Sequence, residues 1–173
     1  MGKASIKENK NSYHLAREAA GFTRQQAADE AAKETLVITA DRIEKIENER
    51  TPPQPYDVLA MAKIYKKPSL CNYYCSHECP IGKQYVPEVQ VKELSAIVIE
   101  MLASLNSVNK TKERLIEIAA DGVISADEID DFIHIQNELE RISITVETLQ
   151  LWAEKMLANG IINKEQYNAR KSK

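Results

Sequence analysis

Apolar residues that recur at spacings of three and four, in runs closed repeatedly by Gly, Thr or Pro, commit this chain to packed helices. Residues 12–20, SYHLAREAA, form the first such run and stop at Gly21, which readily takes the left-handed conformation that closes a helix. A second helix opens at Thr23, whose hydroxyl can accept from a free amide while Gln26 reaches back to the Thr23 amide. Residues 33–38 hold Thr35, Val37 and Ile38, β-branched types that disfavour helix, so this stretch reads as a connection. Thr39 caps a third helix with an inward face of Ile43 and Ile46, and Thr51-Pro52-Pro53-Gln54-Pro55 ends it. A fourth helix runs through Val58, Leu59, Ala62 and Ile64, and Pro68 limits it.

Farther on, Leu94, Ile97, Val98, Met101, Leu102, Leu105 and Val108 describe a helix with one wide apolar stripe. A short helix is expected over residues 110–120, and a long one from Ser125 toward Ala158. The β-branched run at residues 142–146, ISITV, argues against continuity of that last helix, although no Gly or Pro interrupts it. Two turns echo each other: Gly122 then Ser125 and Glu128, and Gly160 then Asn163 and Gln166, each a helix stop followed by a capping box.

Composition narrows the class. With 28% charged and 43% hydrophobic residues the chain reads as an ordinary soluble globular protein. The most apolar stretch, residues 96–105, is too short for a bilayer, and residues 1–10 hold no apolar core behind their lysines. The expected location is therefore the cytoplasm, with no membrane partner. Residues 1–70 carry 12 basic against 10 acidic groups, and residues 71–173 carry 11 against 16. An acidic chain does not coat nucleic acid nonspecifically, but a specific binder needs only a local basic face.

The four N-terminal helices suit presentation of one helix to a DNA major groove. Thr23-Arg24-Gln25-Gln26-Ala27-Ala28, then Ile38-Thr39-Ala40-Asp41-Arg42-Ile43-Glu44-Lys45-Ile46-Glu47, with Arg50-Thr51-Pro52-Pro53 and the helix beyond, resemble helix-turn-helix regulators of the Cro and phage-repressor type, the XRE family. The resemblance covers residues 12–67. It implies that Arg24 and Gln25 lie near phosphate or base edges and that Thr39, Ala40, Asp41, Arg42 and Lys45 form the exposed recognition face. Arg50 would face the DNA backbone, and Glu47 would be structural. Arg42 can donate two bonds to guanine, Thr39 can bond phosphate, and Lys45 supplies a point charge. The chain departs from the family pattern at residues 28–38, which are longer than the usual turn and lack its glycine, and at Glu49, where the family usually has Gly.

Residues 70–90 hold all three cysteines, and Cys71, Cys75 and Cys79 recur every four residues with His77 between the last two. On one helix face such thiolates can converge on zinc or, with another ligand, an iron-sulfur cluster; reversible redox chemistry and plain structural burial fit the spacing as well. Residues 117–128 mimic a calcium loop only loosely, because Ala119 stands where an oxygen is needed. His14, His77 and His134 lie in no recognisable nucleophile motif, and no phosphate-binding glycine loop occurs, so no enzyme is expected.

The resulting expectation is an all-α protein: residues 1–69 a helix-turn-helix DNA-binding domain of four to five helices, 70–90 a cysteine-bearing connector, and 91–173 a helical hairpin or bundle. The function expected is that of a sequence-specific transcriptional regulator acting on double-stranded DNA. The wide C-terminal stripes suggest a homodimer reading two half-sites about one helical turn apart. The alternative is a metal- or redox-responsive protein-interaction module that does not bind DNA.

Overall fold

The computed structural model describes residues 9–171, so nearly all of the polar N-terminal stretch falls outside the described residues. The described chain is all helical, with nine helices and no strands. They are α1 (Ser12–Ala19), α2 (Arg24–Lys33), α3 (Ala40–Glu47), α4 (Pro55–Ile64), α5 (Ser69–His77), α6 (Gly82–Tyr85), α7 (Leu94–Ala119), α8 (Ile129–Ala158) and α9 (Lys164–Lys171). The chain divides into two compact units, one of residues up to Glu88 together with those from Ala153 onward, the other Val89–Trp152. No described helix is long and apolar enough to cross a membrane.

In the first unit the anticipated caps form: Thr23 and Gln26 complete their reciprocal box, and Thr39 accepts from the Arg42 amide at 3.2 Å. Asn11, not anticipated, caps α1 by accepting from the His14 amide at 3.0 Å. Gly21, at φ +76°, closes α1. The missing turn glycine has a physical replacement. Thr35 takes φ 57° just past α2, and its amide and that of Leu36 bond back to Ala32 and Ala31, which closes the helix without Gly. Glu49 does the same after α3 at φ 58°. The left-handed conformation costs such residues on the order of 1 kcal/mol each, which the surrounding packing must supply.

Packing follows side-chain size. Ala27 and Ala31, one turn apart on α2 and fully buried, let α3 approach closely enough for Ile43 and Ile46 to reach the core. Tyr13, Val58, Met61, Ile64, Tyr65 and Leu70 are among the larger side chains that fill the rest of it. Inside this apolar shell lies a charge. The Glu47 carboxylate, fully buried, accepts from Arg17 Nε at 2.6 Å and Nη2 at 3.0 Å, and from Arg24 Nε at 2.8 Å. Arg17 also donates to the Phe22 carbonyl at 2.7 Å, so one guanidinium ties α1 to α3 and to the start of α2.

The expected connector at residues 70–90 is instead folded structure. Leu70 is buried in the core, and α5 packs on α4 and α6 on α5. Gly82 lies so close to the Cys75 carbonyl that a Cβ has no room. The Tyr13 hydroxyl donates to Glu78 at 3.0 Å, which fastens the end of α5 to α1. The sequence hid this because Pro80, Gly82 and Pro87 punctuate the stretch in the manner of a linker.

In the second unit two expectations are corrected. No separate helix begins at residue 110: α7 is continuous from Leu94 to Ala119, since its asparagines and Thr111 do not break the hydrogen-bond ladder. α8 likewise runs through residues 142–146, where Thr145 and Thr148 turn their hydroxyls onto the Arg141 and Ile144 carbonyls at 2.8 and 2.7 Å. Between them Gly122 takes φ +73°, and the Ser125 amide donates to Glu128 at 3.0 Å. Arg114 then bonds Asp131 at 2.6 Å across the hairpin. In the first unit, Asn163 caps α9 by accepting from the Gln166 amide at 2.9 Å.

Because Glu47 is buried with two guanidinium partners, its removal strands their charge. Glu47→Ala is expected to lower unfolding free energy by about 3–5 kcal/mol, measured by urea denaturation. A loss under about 1 kcal/mol contradicts the arrangement.

Candidate nucleic-acid interface

The helix α3 divides cleanly. Ile43, Ile46 and Glu47 face inward and are buried, whereas Thr39, Asp41 and Lys45 face solvent and Ala40 and Glu44 are half-buried. Lys45 Nζ and Asp41 Oδ2 pair at 2.7 Å along this outer side, with side chains 48% and 72% exposed. An exposed pair of this kind is worth no more than about 1 kcal/mol and opens readily toward another ligand. Asp41 also lies in the first turn of α3, where negative charge suits the helix dipole.

The other residues anticipated for DNA contact differ in their engagement. Gln25 is exposed and donates to Asp29 at 2.9 Å, and Arg50 is exposed just past α3. Arg24 is bonded to Glu47. Arg42 donates from Nε and Nη2 to Asp57 at 3.1 and 2.7 Å, and from Nη2 to the Pro52 carbonyl at 3.1 Å. Its bond to Asp57 raises its pKa above the usual arginine value. Asp57 in turn accepts from the Gln54 amide at 2.7 Å, so Arg42 clamps the proline turn against the start of α4. The side chain remains 27% exposed, with one edge toward solvent.

Three residues important to this face escaped the sequence reading. Arg17 shares a helical face with the buried Tyr13, and a charge in an apolar stripe was the available signal. Asp57 completes the box at the start of α4, three residues after Gln54. Val37, three residues before α3, is 91% exposed, while its neighbour Ile38 is buried. A stiff apolar side chain there has the chemistry to touch a thymine methyl.

Cys71 and Cys75 lie along α5, while Cys79 lies beyond its end and accepts from the Gly82 amide at 3.4 Å. His77 stacks on Tyr73 at 4.7 Å, and its Nε2 faces Glu88 at 3.4 Å. Among the described residues no group of three His, Cys, Asp or Glu side chains is placed to hold a metal ion. The thiols are free. Burial, then Glu154 and Cys75, push the Cys71 thiol up to about 11, and burial followed by Cys79 raises Cys75.

No protein-family profile matches the chain, and no curated protein or solved structure matches it significantly.

The raised Cys71 pKa gives a reactivity expectation. Its thiolate fraction at neutral pH is about 100-fold below that of an ordinary thiol, so alkylation by iodoacetamide is slow at pH 7 and accelerates up to about pH 11. Mass-spectrometric peptide labelling across that range checks it. Rapid, pH-independent labelling at Cys71 contradicts the burial.

Proposed function

We propose that the chain is a sequence-specific DNA-binding regulator of transcription that lays the outer side of α3 in the major groove, in the cytoplasm and as a dimer. The observation that carries this reading is the division of α3. An eight-residue helix is held from behind by Ile43, Ile46 and Glu47, with Thr39, Asp41 and Lys45 left facing outward. A helix supported on one side and polar on the other suits groove entry. The resemblance of residues 12–67 to the Cro and phage-repressor type supports the same assignment.

Each residue then has a role. Lys45 leaves Asp41 for a phosphate or a base edge, and Asp41 becomes free to accept from a cytosine amine. Arg50 and Gln25 flank the face and contact the backbone. Arg24 and Arg42 act first as positioning residues, because Glu47 and Asp57 hold them, and Arg42 offers the duplex only its outer edge. This is binding rather than catalysis. Two copies joined through their C-terminal helices carry two such helices to a two-fold related site.

Selection from random duplexes with the full chain is expected to enrich one motif with two-fold symmetry. Binding to that motif weakens as salt rises, and Lys45→Ala with Arg50→Ala loses affinity while flattening the salt slope by about 1 for each phosphate contact removed. Selection that enriches no motif overturns the regulator reading. Undiminished binding by the double variant overturns the assigned face.

A further inference from the structure

We infer that α9 is a second DNA-contacting surface, one that grips the phosphate backbone whatever its sequence; this rests on the DNA-binding reading above. The first observation is a reversal of charge. Residues 89–163 hold 6 basic groups against 13 acidic ones, whereas residues 164–173 hold 4 against 1. The basic segment also lies in the compact unit that contains α3, since the chain from Ala153 onward belongs to it. Its course there is marked at two points. The charge of Glu154 reaches Cys71 on α5, and ten residues later Lys164 opens α9 near the end of α2. There Glu34, its carboxyl lowered chiefly by the bond to Lys63, also feels the charge of Lys164. Glu34 caps α2, and from it the chain runs on through Val37 to α3.

The second observation is availability. Arg170 and Lys171 are exposed and form no ion pair among the described residues. On the α3 side, Arg24, Arg42 and Lys45 are each held by a carboxylate. Phosphate contacts supply much of the affinity of a DNA-binding protein, so α9 offers the uncommitted cations that the reading face lacks. Positive charge in the last turn suits the helix dipole, which alone would account for Arg170 and Lys171. It does not account for Lys164, whose charge in the first turn opposes that dipole. The third observation is shape. A shallow groove of about 410 Å³ follows α9, lined by Ile162, Asn163, Gln166, Tyr167, Arg170 and Lys171. Ile162 and Tyr167 are half-buried, and Lys171 Nζ stands 5.7 Å from the centre of the Tyr167 ring. A nucleic-acid strand alternates an apolar sugar edge with an anionic phosphate. Tyr167 and Ile162 match the first, and the guanidinium and ammonium groups match the second.

Equilibrium binding of the full chain to a mixed-sequence duplex and to the duplex enriched by selection, each over a series of salt concentrations, tests it. Arg170→Gln with Lys171→Gln is expected to weaken binding to both duplexes by the same factor, at least about tenfold at about 0.1 M salt, and to flatten the salt slope by about 2. The preference for the enriched duplex stays unchanged. Arg170→Lys with Lys171→Arg keeps the charges and is expected to bind as wild type, which separates charge from helix integrity. Lys110→Gln with Lys112→Gln removes the same net charge from α7 and is expected to cost less than about threefold. An α9 Gln pair with wild-type affinity or slope, a loss confined to the enriched duplex, or an equal loss from the α7 pair overturns the inference and leaves the α3 reading standing. A wild-type chain that binds neither duplex overturns the DNA-binding reading itself, and this inference with it.

Discussion

The first unit is organised around one buried carboxylate. Glu47 follows Ile43 and Ile46 on the inner face of α3 and is fully buried with them, where an unpaired charge is not tolerated. Arg17 from α1 meets both of its oxygens, and Arg24 at the start of α2 takes a third bond. His14 lies behind it, with Nδ1 3.8 Å from Glu47 and Nε2 3.2 Å from Glu18. Burial pulls the Arg17 pKa down more than any other single cause, but its bond to Glu47, the charge of Glu47 and the smaller effects of Tyr65 and Glu18 together leave it raised. Apolar packing alone would let α3 slide or rotate along Ala27 and Ala31. Charged bonds of fixed direction to two other helices do not, so Glu47 fixes which side of α3 looks outward.

That orientation governs what the outer side offers. With Ile43, Ile46 and Glu47 committed inward, Asp41 and Lys45 stand outward by the helical repeat. The second clamp, Arg42 on Asp57 and the Pro52 carbonyl, holds the turn that follows α3. Two arginines that look free in the sequence are thus structural, and the exposed basic side chains at the face are Lys45, paired with Asp41, and Arg50. Lys33 on α2 and Lys63 on α4 are engaged with Glu30 and Glu34 at 2.7 and 2.8 Å. The field over the face is mixed, which suits recognition of a particular sequence better than indiscriminate adhesion to phosphate.

Much of this was legible in the sequence because capping chemistry is local. Thr23 with Gln26 and the stop at Gly21 depend on residues a few positions apart and took the expected form, while Asn163 caps α9 through the Gln166 amide without the return bond of a full box. What depended on distant partners was not legible. Nothing near Arg42 announces Asp57 fifteen residues on, and nothing near Arg17 announces Glu47 thirty residues on. The α5–α6 segment was obscured because its prolines and glycine read as loop, while Leu70 and the Gly82–Cys75 approach make sense only once α4 is in place. The continuity of α8 was hidden for another reason: its threonine hydroxyls find acceptors within the helix, which offsets the poor helix propensity of that run.

The central claim is that α3 is fixed from behind and free in front. Titration of isotope-labelled full-length protein with a mixed-sequence duplex at low salt, followed through backbone amide resonances, tests it most directly. Shifts gathered at Val37, Thr39, Asp41, Lys45 and Arg50, with Ile43 and Ile46 moving little, are the predicted result. Shifts confined to the acidic C-terminal helices, or none at all, contradict the account.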